Sequence, residues 1–152
     1  MAIYEALKSK EKTLAVIGLG YVGLPIALEF AKHFRVIGFD LNAERIKMMQ
    51  SRQDPSREMD TADFVQRDIL FSSRLEDLTK AHFFVVSVPT DIDEHKVPDL
   101  SPLKRASQDI GRVLKKGDYV VYESTVYPGC TEEDCLPWLE EGSGLSLGMD
   151  FK

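Results

Sequence analysis

The stretch from Leu14 to Asp40 constrains the fold of this chain more than any other. Its first apolar run leads into Gly18, Gly20 and Gly23 in the spacing G-x-G-x-x-G, and an amphipathic segment and a second apolar run follow. The order predicts a strand, a tight turn, a helix, a second strand and an acidic residue. That is the pattern of a domain that binds a dinucleotide by its pyrophosphate.

The three glycines and the acid each have a separate expected role. Gly18 permits the tight turn, Gly20 lets the backbone approach a phosphate, and Gly23 lets the helix lie against the strand. The helix start adds free N–H groups and a positive dipole end, which favour an anion. Asp40, 22 residues after Gly18, can bind ribose hydroxyls and repel a 2′-phosphate, so NAD is favoured over NADP. An ordinary structural turn is the alternative.

Composition limits the class of protein. The chain has 152 residues, about one domain, and 43% of them are hydrophobic, which suits a folded core. The net charge of −6 and the scattered basic residues predict no binding to nucleic acid or to an anionic membrane. No membrane span or secretory signal is expected. Cys130 and Cys135 indicate neither a disulfide framework nor a metal site, so a cytoplasmic location is expected.

The rest of the chain alternates between predicted strands and helices. Strands are predicted at residues 14–17, 35–39, 69–72, 83–88 and 119–122, and helices at 24–33, 42–49, 61–67, 75–80 and 101–114. Ser101 is predicted to cap the last of these helices, with Pro102 at its first position. Thr131 and Asp134 predict a capping box for a further helix, in which Pro137 marks a bend or an early end.

The C-terminal glycines predict a loose tail, and residues 151–152 predict the start of one more element. The alternation as a whole predicts an α/β protein. We expect a Rossmann-type, doubly wound and mostly parallel sheet with helices on both faces.

Three further segments carry a resemblance to a known family. They are GYVGLP at 20–25, VPT at 88–90 together with PDLSPL at 98–103, and ESTVYPGCTEE at 123–133. Together they resemble the UDP-glucose/GDP-mannose dehydrogenase family, and most closely its UDP-N-acetylhexosamine 6-dehydrogenases of capsule and O-antigen synthesis, including the Vi polysaccharide type. The resemblance implies that residues 1–152 are the NAD-binding domain, without the sugar-nucleotide-binding and central dimerisation regions.

The resemblance also implies an activity and a set of site residues. Enzymes of the family oxidise the C6 hydroxymethyl group of a nucleotide sugar to a carboxylate and reduce two NAD molecules. The implied NAD contacts, in chain order, are Gly18, Gly20, Tyr21, Val22, Gly23, Asp40, Arg45, Val88, Pro89, Thr90, Ser124, Thr125 and Val126. Thr125 is also the implied catalytic residue, because its hydroxyl can both donate and accept a hydrogen bond while it positions water or the reacting oxygen.

The chain departs from the family pattern at two points. Asp91 stands where many relatives have a proline, which changes the expected shape of the cofactor loop. The nucleophilic cysteine of the family lies far downstream in another domain, and neither Cys130 nor Cys135 matches its motif, so both are expected to be structural or surface residues. We therefore expect this chain alone to bind NAD weakly, to oxidise no UDP-sugar and to be a monomer, whereas the full-length enzyme is implied to be a homodimer.

Two other functions share the glycine turn and the acid. A nucleotide-sensing regulatory domain of a transport system would bind a nucleotide without catalysis. Dehydrogenases of the 3-hydroxyacyl or 6-phosphogluconate type open with similar glycine turns. Neither class is expected to carry S-T-V-Y-P-G after the fifth strand, and the sequence downstream of this domain would separate them.

Overall fold

One parallel sheet organises the molecule, and the computed structural model describes residues 2–152. Its strands are β1 Thr13–Ile17, β2 Val36–Phe39, β3 Ile69–Ser72, β4 Ala81–Val86 and β5 Tyr119–Tyr122. They lie in the order β3-β2-β1-β4-β5, and every pair is parallel. The chain therefore leaves β1 toward one side of the sheet and later returns to its other side at β4. That reversal is the topological switch point of a doubly wound sheet, where ligands bind in such folds.

Residues 2–152 contain six α-helices. They are α1 Ile3–Lys8, α2 Gly23–Phe30, α3 Ala43–Gln50, α4 Leu75–Leu78, α5 Ser101–Val113 and α6 Leu136–Ser143. Of these, α2 to α5 connect successive strands, whereas α1 precedes β1 and α6 follows β5. A 3₁₀ turn covers Thr61–Phe64, and a π-helical turn covers Thr131–Cys135. Within residues 2–152 no helix has the length and apolar character needed to cross a membrane.

The sheet separates two hydrophobic cores, because successive side chains of a strand point to opposite faces. Ala15 and Ile17 of β1 belong to the core under α4, α5 and α6. Leu14 and Val16 of the same strand belong to the core under α1, α2 and α3. All five residues of β1 are buried, as expected for a central strand covered on both faces. These observations confirm the predicted Rossmann-type architecture.

The boundaries of β4 differ from the sequence prediction. The strand begins two residues earlier than expected and ends at Val86 rather than at Val88. It ends there because β1 ends at Ile17, and Gly18, with φ of +88°, turns the neighbouring chain away from the sheet. Residues beyond Val86 are thereby released to form a loop.

The predicted cap of α5 is wrong. Leu100 occupies the N-cap position, and Ser101 is already the first helical residue. The Asp99 carboxylate accepts the Ser101 N–H at 2.9 Å instead, and hydrogen bonding from the Ser101 side chain, together with this backbone N–H, lowers the pKa of Asp99. By contrast, the predicted cap of α3 is confirmed, since the Asn42 side chain accepts the N–H groups of Glu44 and Arg45.

The helix after β5 also differs from expectation. Cys130 is already in a helical conformation, so Thr131 lies inside the segment and forms no capping box. Pro137 lies in the first turn of α6, which continues to Ser143 rather than ending early. A proline ring clashes with the carbonyl four residues before it in an α-turn, and the wider π-turn at Thr131–Cys135 precedes it here.

The C-terminal tail is more ordered than its glycines suggest. Gly142 packs on Gly111 of α5, where an added Cβ on Gly111 would lie 3.0 Å from the Gly142 Cα. Gly144, with φ of 68°, ends α6 in a left-handed cap. The Val120 N–H donates to the Lys152 carbonyl, and the Lys152 N–H donates to the Asp118 carbonyl. Lys152 thus lies alongside the start of β5, and the expectation that residues 151–152 begin one more element stays a prediction.

Candidate functional site

A cleft of about 690 Å³ opens at the carboxyl ends of β1, β4 and β5. The residues predicted from the sequence to contact a cofactor line it, with the exceptions of Gly23 and Val126. Gly23 is buried behind the turn, and Val126 packs against the core under α5 and α6. The cleft coincides with the switch point of the sheet, where ligands bind in such folds, and with the residues that the sequence predicts to contact a cofactor.

The glycine turn leaves backbone donors free. The N–H groups of Gly20, Tyr21 and Val22 donate to no group within residues 2–152. The helix α2 that follows has no side-chain cap, with Val22 at its N-cap position. Uncapped donors at a helix N-terminus favour an anion such as a phosphate.

Close packing makes two of the glycines necessary. A Cβ at Gly18 would lie 2.9 Å from the Ser87 carbonyl oxygen, and a Cβ at Gly23 would lie 1.7 Å from the Gly18 carbonyl oxygen. A Cβ at Gly20 would meet no protein atom within 4 Å. Gly18 and Gly23 are therefore required by the packing of the fold, whereas the missing side chain of Gly20 leaves space in the cleft.

Asp40 is held at the edge of the cleft by two backbone donors. The Leu19 N–H donates to Asp40 Oδ2 at 3.0 Å, and the Asn42 N–H donates to Asp40 Oδ1 at 2.9 Å. A carboxylate accepts about four hydrogen bonds, so each oxygen retains capacity for a ribose hydroxyl. The Arg45 guanidinium donates to the Leu19 carbonyl at 2.9 Å, which ties α3 to the glycine turn.

A second, smaller cavity adjoins Asp40. It has a volume of about 160 Å³ and lies between the loop after β2 and the first turns of α5. Leu41, Pro89 and Ala106 contribute apolar surface, and Arg105 lies at its border. The apolar part of this lining can contact an aromatic ring.

The loops after β4 and β5 are joined by side chain to backbone hydrogen bonds. Ser124 Oγ donates to the Val88 carbonyl at 2.7 Å, and Thr90 Oγ1 donates to the Thr125 carbonyl at 2.5 Å. The Thr125 side chain lines the cleft. Its hydroxyl has no hydrogen-bond partner in the part of the chain that the structure describes, so it remains available to a ligand.

Ser87 is a cleft residue that sequence reasoning missed. It is only 9% exposed, and its hydroxyl makes no hydrogen bond within residues 2–152. A buried hydroxyl without a partner is uncommon and costly. Its position as the first residue after a buried strand was the available signal. Asp91 and Glu123 also line the cleft.

The two cysteines lie away from the cleft, in the core under α5 and α6. Both are buried and are free thiols. Burial raises the pKa of Cys130 and raises the pKa of Cys135 to about 12. The reactive form of cysteine is the thiolate, so these thiols are structural. Their burial confirms the structural alternative of the sequence prediction.

No cluster of three or more metal-ligating side chains occurs in residues 2–152. The polar groups at the cleft include backbone donors, hydroxyls, three carboxylates and one arginine. Such a set can hold a nucleotide through its phosphates and ribose.

Comparisons with known proteins agree with this geometry. The model for the NAD binding domain of the UDP-glucose/GDP-mannose dehydrogenase family matches residues 12–152. The chain is 54% identical over 143 residues to a UDP-N-acetyl-D-glucosamine 6-dehydrogenase from Pseudomonas aeruginosa, covering 93% of this chain and 34% of that protein. It is 49% identical over 140 residues to protein CapL from Staphylococcus aureus, covering 92% and 33%.

A solved structure supports the same assignment of fold. The UDP-D-ManNAc dehydrogenase from Pyrococcus horikoshii superposes with a TM-score of 0.80 at 35% identity, covering 91% of this chain and 34% of that one. The chain thus spans about a third of the length of the relatives it matches. Nothing in these comparisons supports a nucleotide-sensing regulatory module.

Proposed function

Because the chain belongs to the UDP-glucose/GDP-mannose dehydrogenase family, we propose that it supplies the NAD site of a nucleotide-sugar 6-dehydrogenase. The substrate is a UDP-N-acetylhexosamine, as the name of the Pseudomonas aeruginosa relative suggests, and the reaction converts its C6 hydroxyl to a carboxylate for surface polysaccharide synthesis. The full-length enzyme acts in the cytoplasm as a homodimer. A reducing compartment suits the two free thiols.

The main support for this proposal is the group of free N–H donors in the glycine turn, next to the switch point of the sheet. The donors of Gly20, Tyr21 and Val22 have no protein partner within residues 2–152, and they suit the two phosphates of NAD. Asp40 then receives the adenosine ribose, and the apolar cavity bordered by Leu41 receives adenine. The nicotinamide half extends in the opposite direction, toward the loops after β4 and β5.

Oxidation of a hydroxymethyl group to a carboxylate removes four electrons, and each bound NAD accepts two as a hydride. The residues of this chain bind and orient that acceptor. The two side chain to backbone bonds made by Ser124 and Thr90 keep the two loops together around the nicotinamide end. The free hydroxyl of Thr125 holds water or the reacting oxygen in place there.

Cofactor binding and its preference test the proposal. Calorimetric titration should show weak but measurable binding of NADH and a preference for NAD+ over NADP+. A 2′-phosphate beside the Asp40 carboxylate brings like charges together, and Asp40→Asn should reduce the preference. Glu44→Gln, on the exposed face of α3, is the control. Equal affinities in the wild-type chain would show that Arg45 rather than Asp40 governs the ribose, and no binding at millimolar NADH would refute the NAD site.

The catalytic role of Thr125 requires the full-length enzyme. Thr125→Ala should lower kcat by about 10²-fold, the size of a lost proton-transfer or water-positioning group, while NAD affinity changes less. Thr125→Ser retains the hydroxyl and should restore most of the rate. A wild-type kcat with only a raised KM for NAD would make Thr125 a cofactor contact alone.

A further inference from the structure

Glu123 is an acidic cleft residue to which the proposed function assigns no role. It is the first residue after β5, and its exposed side chain lines the cleft next to Ser124 and Thr125. Within residues 2–152 it forms no ion pair with a lysine, arginine or histidine. No cationic side chain therefore lies within ion-pair distance of Glu123, and its charge acts on whatever occupies this end of the cleft.

The backbone that carries Glu123 is held in place before any ligand binds. Its N–H donates to the Val86 carbonyl at 2.8 Å, which continues the pairing of β4 and β5. The next two residues are held by the bonds of Ser124 to Val88 and of Thr90 to Thr125. A charge on a fixed backbone contributes to binding without the entropy cost of ordering a loop.

The charges of a dinucleotide differ along its length. The pyrophosphate is anionic, whereas the oxidised nicotinamide ring carries the one positive charge, which disappears on reduction. The glycine turn places the pyrophosphate at the centre of the cleft and Asp40 places adenosine at the β2 side. The nicotinamide ring then lies at the β4–β5 side, where Glu123 is located.

We infer that Glu123 makes the cleft discriminate between the two redox states, favouring NAD+ over NADH; this rests on the proposed function. The carboxylate attracts the oxidised ring and gains nothing from the neutral reduced ring. Asp91 lines the same cleft and adds a second negative charge. A four-electron oxidation consumes two NAD+ in succession, so NADH must be exchanged for NAD+ within each turnover. Weaker retention of NADH favours that exchange.

Calorimetric titration of this chain with NAD+, NADH and ADP-ribose tests the inference. Glu123→Gln should weaken NAD+ binding about fivefold, the effect of two unit charges about 4 Å apart in water. NADH and ADP-ribose, which lack the positive ring, should bind within about twofold of wild type. Glu132→Gln, outside the cofactor cleft at the β5 edge, is the matched control and should leave all three affinities unchanged.

The outcomes separate this inference from its premise. If Glu123→Gln weakens all three ligands equally, or leaves the ratio of NAD+ to NADH affinity unchanged, the inference is overturned while the NAD site stands. Adding Asp91→Asn to Glu123→Gln should lower the same ratio further. If the wild-type chain binds none of the three ligands, the proposed function fails and the inference fails with it.

Discussion

At the residue scale, two glycines of the same turn should respond to alanine in opposite ways. A Cβ at Gly23 would lie 1.7 Å from the Gly18 carbonyl oxygen, whereas a Cβ at Gly20 meets no protein atom within 4 Å. Gly23→Ala should therefore destabilise the fold by about 1–3 kcal/mol or more, and Gly20→Ala should leave stability nearly unchanged. Gly20→Ala should nevertheless weaken NADH binding at least tenfold, since its methyl group occupies the space of the phosphate.

Urea denaturation and calorimetric titration of both variants provide the measurement. Each variant is the control for the other, because the substitution is identical and the positions are three residues apart. Loss of stability in Gly20→Ala, or tight NADH binding by it, would contradict the assignment of this turn.

The buried thiols predict a pH dependence of stability. Burial raises the pKa of Cys135 to about 12, from about 8.5 for a free thiol, and it also raises the pKa values of Cys130 and Tyr122. Between about pH 9 and 12 the folded chain therefore holds more protons than the unfolded chain. The contribution of these buried groups to stability should be complete below about pH 8.5. The free energy of unfolding should then fall as the pH rises toward 12.

Urea midpoints measured at pH 8 and pH 10.5 check this dependence. Cys135→Ala should reduce the change between the two pH values, although its cavity lowers stability at both. Tyr4→Phe, at an exposed site in α1, should leave the change unaltered. A midpoint that does not move between pH 8 and pH 10.5 would show that these groups are accessible to solvent.

At the element scale, the crossing of α5 and α6 depends on small residues. An added Cβ on Gly111 would lie 3.0 Å from the Gly142 Cα, and one on Gly142 would lie 3.2 Å from the Gly111 Cα. Gly111→Val should separate the helices and reduce the free energy of unfolding by about 1–3 kcal/mol. Arg112→Val, on the exposed side of the same helix, should cost no more than about 1 kcal/mol. Thermal or urea unfolding measures both, and equal effects would contradict the close crossing.

The same elements show what the sequence could predict. Strand β1, the glycine turn and the Asn42 cap follow from local patterns, because burial on both faces and capping leave a direct sequence signal. The α/β class and the mostly parallel sheet followed from the alternation of strands with helices, whereas the order of the strands came only from the structure. These features also located the cleft, since ligands bind at the carboxyl ends of such strands.

The remaining features depend on contacts between distant residues. The end of β4 is set by the end of β1, and the ordered position of Gly142 is set by Gly111. Sequence alone could not predict that Glu123 brings its charge to the cleft or that the Ser87 hydroxyl has no partner, because both depend on which loops meet. Helix α1 carries too few residues for a periodic pattern, although Leu7 is buried in the core.

At the scale of the whole molecule, the proposed cofactor site belongs to both cores at once. The glycine turn leads into α2, whose side chains form one core. Pro89 leads toward α5, and Val88 packs against the opposite core together with Trp138. Because alternate residues of β1 and β4 belong to each core, we expect the two to unfold together.

Binding of NADH should therefore stabilise the molecule as a unit. At ten times its dissociation constant, NADH adds about 1.4 kcal/mol to the free energy of unfolding. Fluorescence of Trp138, the one tryptophan of the chain, reports the core under α5 and α6, and far-UV circular dichroism reports all helices. Both urea transitions should shift by the same amount with NADH, and in Gly20→Ala, which binds at least tenfold more weakly, both should shift by no more than about 0.4 kcal/mol. A shift of one transition without the other would show that the two cores unfold separately and that NADH stabilises only one of them.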